Sequence, residues 1–435
     1  MDPRDFLLDL FRAAVSAAAP ATCLPPHLPA PPKGRTVVVG AGKAAAAMAK
    51  AVEDHWEGPL SGLVVTRYGH GVACSKIEVV EAGHPIPDEA GAAAAARILE
   101  LVQGLSADDL VLFLGSGGGS ALLTLPAPGI TLQDKQALTR SLLKSGAAIG
   151  EINAVRKHLS AIKGGRIALA AAPARVLGLL ICDVADGDPA SIASGPTVPD
   201  PTTRDDARAV LARHGVAMPP NVARRLGDSA AETPKPGRPD FIRIKNIIVA
   251  RAEDALAAAA RAAEAAGVCH LVLGGALAGE ASELAAGHAR RALEISRGPG
   301  PFPFVLLSGG EATVTVTGGG RGGPNGEFLL ALALALDSAP GIWALACDTD
   351  GIDGGEDNAG ATIAPDTLAR AAAMGLDARA MLARNDSYGF FEALKTLVRV
   401  GPTRTNVNDF RAVLIAPAAP GWRARSLPRP HPSDR

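Results

Sequence analysis

No two of the five cysteines in this 435-residue chain are spaced as CxxC. Cys23, Cys74, Cys182, Cys269 and Cys347 are scattered, which excludes a disulfide framework and zinc-like ligand spacing and leaves them as reduced, mostly core residues. No block of lysine and arginine stands out, and the formal net charge is −1. That excludes a generic nucleic-acid binder, because nothing would neutralise a phosphate backbone, while a small acidic ligand needs only a local basic pocket. No apolar stretch of about 18 residues is free of charges, so no membrane span is expected. The opening MDPRDFLLDLFRAAV lacks the basic n-region and unbroken apolar core of a signal peptide, so a soluble cytoplasmic protein is expected. No fixed-period repeat is present.

What is there describes an enzyme-like chain. A hydrophobic fraction of 48% with 20% charged residues is that of a globular protein, and 435 residues exceed one ordinary core, so two domains are expected. After an N-terminal helix and a proline-rich stretch from Pro20 to Pro32, strand and helix patterns alternate. Strands are expected at 36–39, 62–66, 77–81, 109–114 and 176–182, with helices near 43–55, 89–103, 133–146 and 151–163: a mostly parallel sheet covered on both faces. The segment DSAAETPKPGRPD (228–240) has no apolar periodicity and marks the boundary, giving domains at 1–235 and 236–416. Beyond it, strands at 247–249, 271–273, 304–307 and 343–347, helices near 280–296 and 327–336, and the alternating run Thr313–Thr317 describe a mixed second sheet. The proline- and arginine-rich tail, 417–435, reads as disordered.

In open α/β sheets ligands bind beyond the carboxyl ends of the strands, so the loops there carry the chemistry. In VVVGAGKAA the chain turns at Gly40 and Gly42 and places Lys43 at the start of a helix. A cation opposes the positive end of the helix dipole, so the free amides and Lys43 together call for an anion. A dinucleotide turn and a plain tight turn fit the same residues. Against the first, the second strand ends in Arg67 with no acid for a ribose. GSGGGSALL (115–123) lets the amides of Gly117, Gly118 and Gly119 converge into an anion nest, with the hydroxyls of Ser116 and Ser120 as further donors. Two acidic segments follow buried strands: Asp183, Asp186 and Asp188, then Asp348, Asp350 and Asp353. Such hard oxygens suit magnesium shared with substrate phosphates, although any one of them also serves as a cap or Asx-turn. The helix EINAVRKHLSAIKGGRIA gathers Arg156, Lys157, His158, Lys163 and Arg166, and Arg156 can grip a carboxylate bidentately. A second glycine-rich loop, 308–328, encloses Arg321.

These segments together resemble the MOFRL-type glycerate 2-kinases from about residue 5 to 416. The matching stretches run in order: GAGKAAAAMA, EAGHPIPD, GSGGGSALL, INAVRKHLSAIKGGR, ASGPTVPDPTT, LSGGEATV, DTDGIDG, RNDSY and TNVNDFR. The resemblance implies two α/β domains, the first Rossmann-like with a mostly parallel sheet and the second mixed, with an active site in the cleft between them. It also implies ATP-dependent phosphorylation of D-glycerate at the 2-hydroxyl, with ATP and Mg2+ as cofactors; a homodimer is compatible with it. The family's lysine falls on Lys43. Where the family often reads GGRNQE this chain has GGPNGE, with Pro324 for the arginine and Asn325 retained as a phosphate-binding candidate. Where it often reads TGTNVND, this chain has Arg404 for the glycine. Arg321 or Arg404 is therefore the candidate to replace the lost arginine. No residue is identified as a general base. Some relatives carry the name hydroxypyruvate reductase, which keeps an NAD(P)H-dependent reduction as the alternative.

Overall fold

The computed structural model describes residues 2–184 and 187–416. Asp186 and the tail from 417 lie outside them. The chain forms two compact units, residues 20–250 and residues 1–19 with 251 onward.

The first unit is built on six parallel strands: β1 (Thr36–Ala41), β2 (Ser61–Arg67), β3 (Ile77–Ala82), β4 (Leu110–Gly115), β5 (Arg175–Ile181) and β6 (Ile244–Ala250). Their order is β3-β2-β1-β4-β5-β6, that of a doubly wound dinucleotide-binding sheet. β1 and β4 are buried at every residue, as expected of central parallel strands covered on both faces. Val37, Val39, Val111, Phe113 and Val176 pack on one face against Ala94, Ala95 and Ile98 of the helix Glu89–Leu101. A separate apolar cluster joins the helices Leu132–Lys144, Ile149–His158, Arg204–Arg213 and Pro220–Gly227 through Leu138, Leu142, Ile152, Val155, Val210, Leu211, Val222 and Leu226.

The second unit holds β7 (Cys269–Glu280), β8 (Phe304–Thr313), β9 (Ile342–Asp348), β10 (Gly360–Ile363), β11 (Leu397–Val398) and β12 (Asp409–Ile415), in the order β11-β10-β9-β12-β8-β7. β7 and β8 are parallel and the other pairings antiparallel. The helix Pro324–Leu336 is buried from Asn325 through Ala333 and forms the centre of this unit's core.

Three expectations are corrected. The boundary falls after Ala250 rather than near residue 235, because the strand expected to open the second domain pairs with β5 and closes the first sheet. The N-terminal helix Pro3–Ala18 belongs to the second unit, where Phe11 meets Phe410 and Thr405 Oγ1 donates to Ala18 O. The run Thr313–Thr317 is not a paired strand beyond Thr313: the amide of Thr315 donates to the Glu280 side chain and that of Thr317 to Asn385, so side chains take the place of a ladder.

Candidate active site

β1 and β4 lie side by side where the strand order reverses, and their carboxyl ends carry the two glycine loops. The loops interlock. A Cβ on Gly40 would fall 2.1 Å from Leu114 O, and one on Gly42, at φ +143°, would fall 2.1 Å from Ser116 Oγ. Only glycine therefore allows this approach. Into the space so created Ser116, fully buried, turns its Oγ to accept the Ala44 amide at 3.0 Å, while the Lys43 amide donates to Gly117 O at 2.8 Å. Ser116 Oγ is thus a joint between the loops. Lys43 stands in the turn just before the N-cap Ala44 of the helix Ala45–His55, not in its first turn.

The rest of the nest faces the other way. Gly118, at φ +80°, lies against the Lys43 stem and the His84 ring: a Cβ there would be 3.4 Å from Lys43 Cγ and 3.0 Å from His84 Nε2. Gly119 packs against Ala193, where an added Cβ would come within 2.7 Å. Ala193 and Ser194 both hold left-handed conformations, φ 53° and 61°, a cost that non-glycine residues bear mainly where structure or function demands it. Ser120 Oγ lies 2.9 Å from Ser194 Oγ, and Ser194 donates to Asn153 Oδ1 at 3.1 Å. Since the amide oxygen only accepts, Ser194 gives its proton there, so Ser120 donates to Ser194 and keeps its lone pairs for a ligand.

Asn153 and Arg156 stand three apart on the helix Ile149–His158 and share a face. Arg156 is half-buried and has no hydrogen-bond or ion-pair partner among the described residues; burial lowers its pKa. Its neighbours in sequence are spoken for: Lys157 reaches Asp200 at 3.3 Å, His158 reaches Glu232 at 3.2 Å, and Arg166 donates to the carbonyls of Ala231 and Glu232. Sequence reasoning missed Lys135, which lies buried on the adjoining helix, and assigned nothing to His84, Asn153 or Ser194. The last three sit inside the matched motifs, which was their only signal.

In the second unit four motif segments meet at one end of the sheet. Asp353 is buried, and accepts the amides of Asn325 at 3.0 Å and Gly326 at 2.8 Å at the N-terminus of the helix Pro324–Leu336. Burial pushes its pKa to about 7 against the pull of those amides. Asn325 Nδ2 donates to Asp409 at 2.7 Å, and Asp409 also takes the fully buried Arg411 guanidinium and the Ala312 amide. Pro324 occupies the first helical turn, where its missing N–H costs nothing. Arg321 is 59% exposed, paired with Glu356 and stacked 4.1 Å above the Tyr388 ring. Arg404 is exposed and left-handed, φ 61°, at the place of the family's glycine.

The aspartates are largely engaged in their own loops. Asp348 accepts the Asp350 amide, Asp350 the Ile352 amide and Asp188 the Ala190 amide, each at 2.8–2.9 Å. Among the described residues no three His, Cys, Asp or Glu side chains are arranged to hold a metal ion. Magnesium characteristically keeps several waters and takes few protein carboxylates beside substrate phosphates, so it does not require such a cage. No single described helix is long and apolar enough to cross a membrane.

Residues 6–227 match a domain of unknown function, DUF4147, and residues 304–409 match the MOFRL family. A chain of Agrobacterium vitis provisionally named hydroxypyruvate reductase is 54% identical over 95% of this chain and 94% of its own length. The D-glycerate 2-kinase of Thermotoga maritima is 38% identical over 94% of this chain and 97% of its own. A crystal structure of glycerate kinase from the same organism superposes with a TM-score of 0.87 at 37% identity, covering 95% of this chain and 99% of that one. The chain belongs to the MOFRL-type glycerate 2-kinase family, some of whose relatives bear the reductase name.

Proposed function

We propose that the protein transfers the γ-phosphoryl group of ATP, taken up with magnesium, to the 2-hydroxyl of D-glycerate and releases 2-phosphoglycerate and ADP. The observation that carries this reading is the first βα turn. In a dinucleotide-binding fold that turn opens its backbone to a pyrophosphate. Here the amides of Lys43 and Ala44 are held by Gly117 O and Ser116 Oγ, and Gly42 is packed on Ser116, so protein fills the place. The strand order and the name borne by the Agrobacterium relative favour a reductase, whereas Arg67 stands at the end of β2 where an NAD enzyme has an acid.

Phosphoryl transfer asks mainly for positioning and charge stabilisation. Arg156 takes the glycerate carboxylate, and its missing protein partner supports that role. Ser120, fixed as an acceptor, orients the 2-hydroxyl. Lys43 and the amide of the nest at Gly118 stabilise the equatorial oxygens of the transferring group, while the Gly119 amide is held by Ser116 O at 3.2 Å. The hydroxyl oxygen bonds to the γ-phosphorus, the bond from that phosphorus to the β–γ bridging oxygen breaks, and the hydroxyl proton leaves to solvent. Magnesium belongs to the nucleotide substrate in this scheme, and the cytoplasm supplies both. Purified protein given D-glycerate, ATP and magnesium is expected to form ADP in proportion to glycerate. Oxidation of NADH or NADPH with hydroxypyruvate, with ATP untouched, contradicts the proposal.

A further inference from the structure

Arg156 is not the only cation here without a counter-charge. Lys135 is 6% exposed and its ammonium donates to a single carbonyl, Leu159 O at 3.3 Å. Lys163 is 1% exposed and donates to a single carbonyl, Ala193 O at 3.0 Å, the residue against which Gly119 of the nest is packed. An ammonium carries three donors, and buried charges are normally paired. Lys157 shows the ordinary solution in the same neighbourhood, since Asp200 neutralises it and is itself bonded to Thr202 and Thr233. No carboxylate among the described residues pairs with Lys135, Arg156 or Lys163. The helices Leu132–Lys144 and Ile149–His158, which carry Lys135 and Arg156, share an apolar cluster, and Lys163 follows in the loop after the second. Among the described residues, Arg156 acts on Lys135, and Lys135, Arg156 and Lys157 act on Lys163.

We infer that Lys135, Arg156 and Lys163 form one anion-binding basin behind the glycine nest, and that binding of a carboxylate there is accompanied by uptake of protons from solvent. The identity of the ligand as glycerate rests on the proposed function; the basin itself rests on the geometry. Burial and the neighbouring Arg156 bring Lys135 down to about 7, and burial, with Lys135, Arg156 and Lys157 around it, holds Lys163 well below the ordinary lysine range. The arrival of an anion reverses both influences, so a neutral amine takes a proton from water and no other bond changes. The sign follows. The complex raises the lysine pKa, so affinity is greatest below about 7 and declines as pH rises, by up to about tenfold per unit for each proton taken up. Glycerate is itself a monoanion throughout this range and contributes no slope.

The test is calorimetric titration of the full chain with D-glycerate at pH 7.5 in buffers of low and high ionisation enthalpy. The expected result is a buffer-dependent heat that reports net proton uptake. Lys135→Met and Lys163→Met should each reduce the uptake and weaken glycerate binding by about tenfold or more, without lowering the melting temperature of the ligand-free protein, because a buried amine with two of its donors or lone pairs unsatisfied is replaced by an apolar side chain of similar length. A merely structural lysine gives the opposite pattern: a lower melting temperature with unchanged uptake and affinity. Buffer-independent heats from a wild-type protein that phosphorylates glycerate overturn the basin and leave the kinase reading standing. No glycerate binding by the wild type overturns both.

Discussion

Lys43 is the single side chain on which turnover most depends in this account. It follows the packed turn at Gly42, beside Gly118 and the His84 ring, and its charge stands at the positive end of the helix Ala45–His55. Removing one preorganised charge from a site of developing negative charge costs about a hundredfold to a thousandfold in turnover. Lys43→Ala should lose activity on that order while melting no lower than the parent, because the conflict with the helix dipole is relieved. Retained activity per folded molecule with a large drop in melting temperature would make Lys43 structural. Arg404 offers the converse experiment. Its left-handed backbone costs about 1 kcal/mol relative to glycine, so Arg404→Gly should raise stability by that amount in urea titration. A simultaneous loss of turnover would show that the arginine serves the reaction, and unchanged turnover would confine its effect to stability. Arg156 was legible in the sequence because charge density marks its helix. Lys135 was not: in LQDKQALTR a lone lysine reads as a solvated position, and only the folded chain shows it buried with its ammonium on Leu159 O at the end of the following helix.

Elements were legible where burial imposed one period. The six parallel strands of the first unit and the helices Ala45–His55, Glu89–Leu101 and Leu132–Lys144 follow their apolar runs closely, whereas the helix expected over 151–163 ends at His158 and the helices Arg204–Arg213 and Pro220–Gly227 were not read. β10, β11 and β12 escaped notice because two are short and the third, DFRAVLI, encloses a buried arginine that reads as polar. The helix Pro324–Leu336 was expected to start at Glu327, because nothing local caps it: the capping carboxylate, Asp353, comes from a loop beyond β9. Asp353→Ala leaves two buried amides without acceptors and should cost this unit about 3 kcal/mol, read as a lower midpoint in urea. A change within experimental error would mean that the helix start is held by other contacts. In the first unit, Gly42→Ala combines a glycine-only φ with a clash on Ser116 and should cost about 3 kcal/mol, with loss of activity since the two loops can no longer interlock.

The chain as a folded molecule shows why fold and chemistry were readable to different depths. Two α/β units follow from alternating periodicity, and the motif order pointed to the family on its own, whereas the reversal of strand order between β1 and β4 is seen only in the folded sheet. The boundary was misplaced because a proline-rich segment resembles a linker, although β6 follows it and completes the first sheet. The basin was hidden because it depends on which cations lack partners, a property of packing rather than of composition. The same sheet order serves dinucleotide enzymes, so fold alone does not choose between kinase and reductase; the relatives named glycerate kinase support the kinase, and the filled first turn is what favours it in the proposal. The most direct measurement is the phosphorus NMR spectrum of the product formed from D-glycerate, ATP and magnesium. Transfer to the 2-hydroxyl gives a phosphomonoester signal split into a doublet by the single proton on C2, together with ADP. A triplet, from the two protons on C3, contradicts the assigned hydroxyl, and no phosphomonoester at all, with NADH or NADPH consumed on addition of hydroxypyruvate, contradicts the kinase.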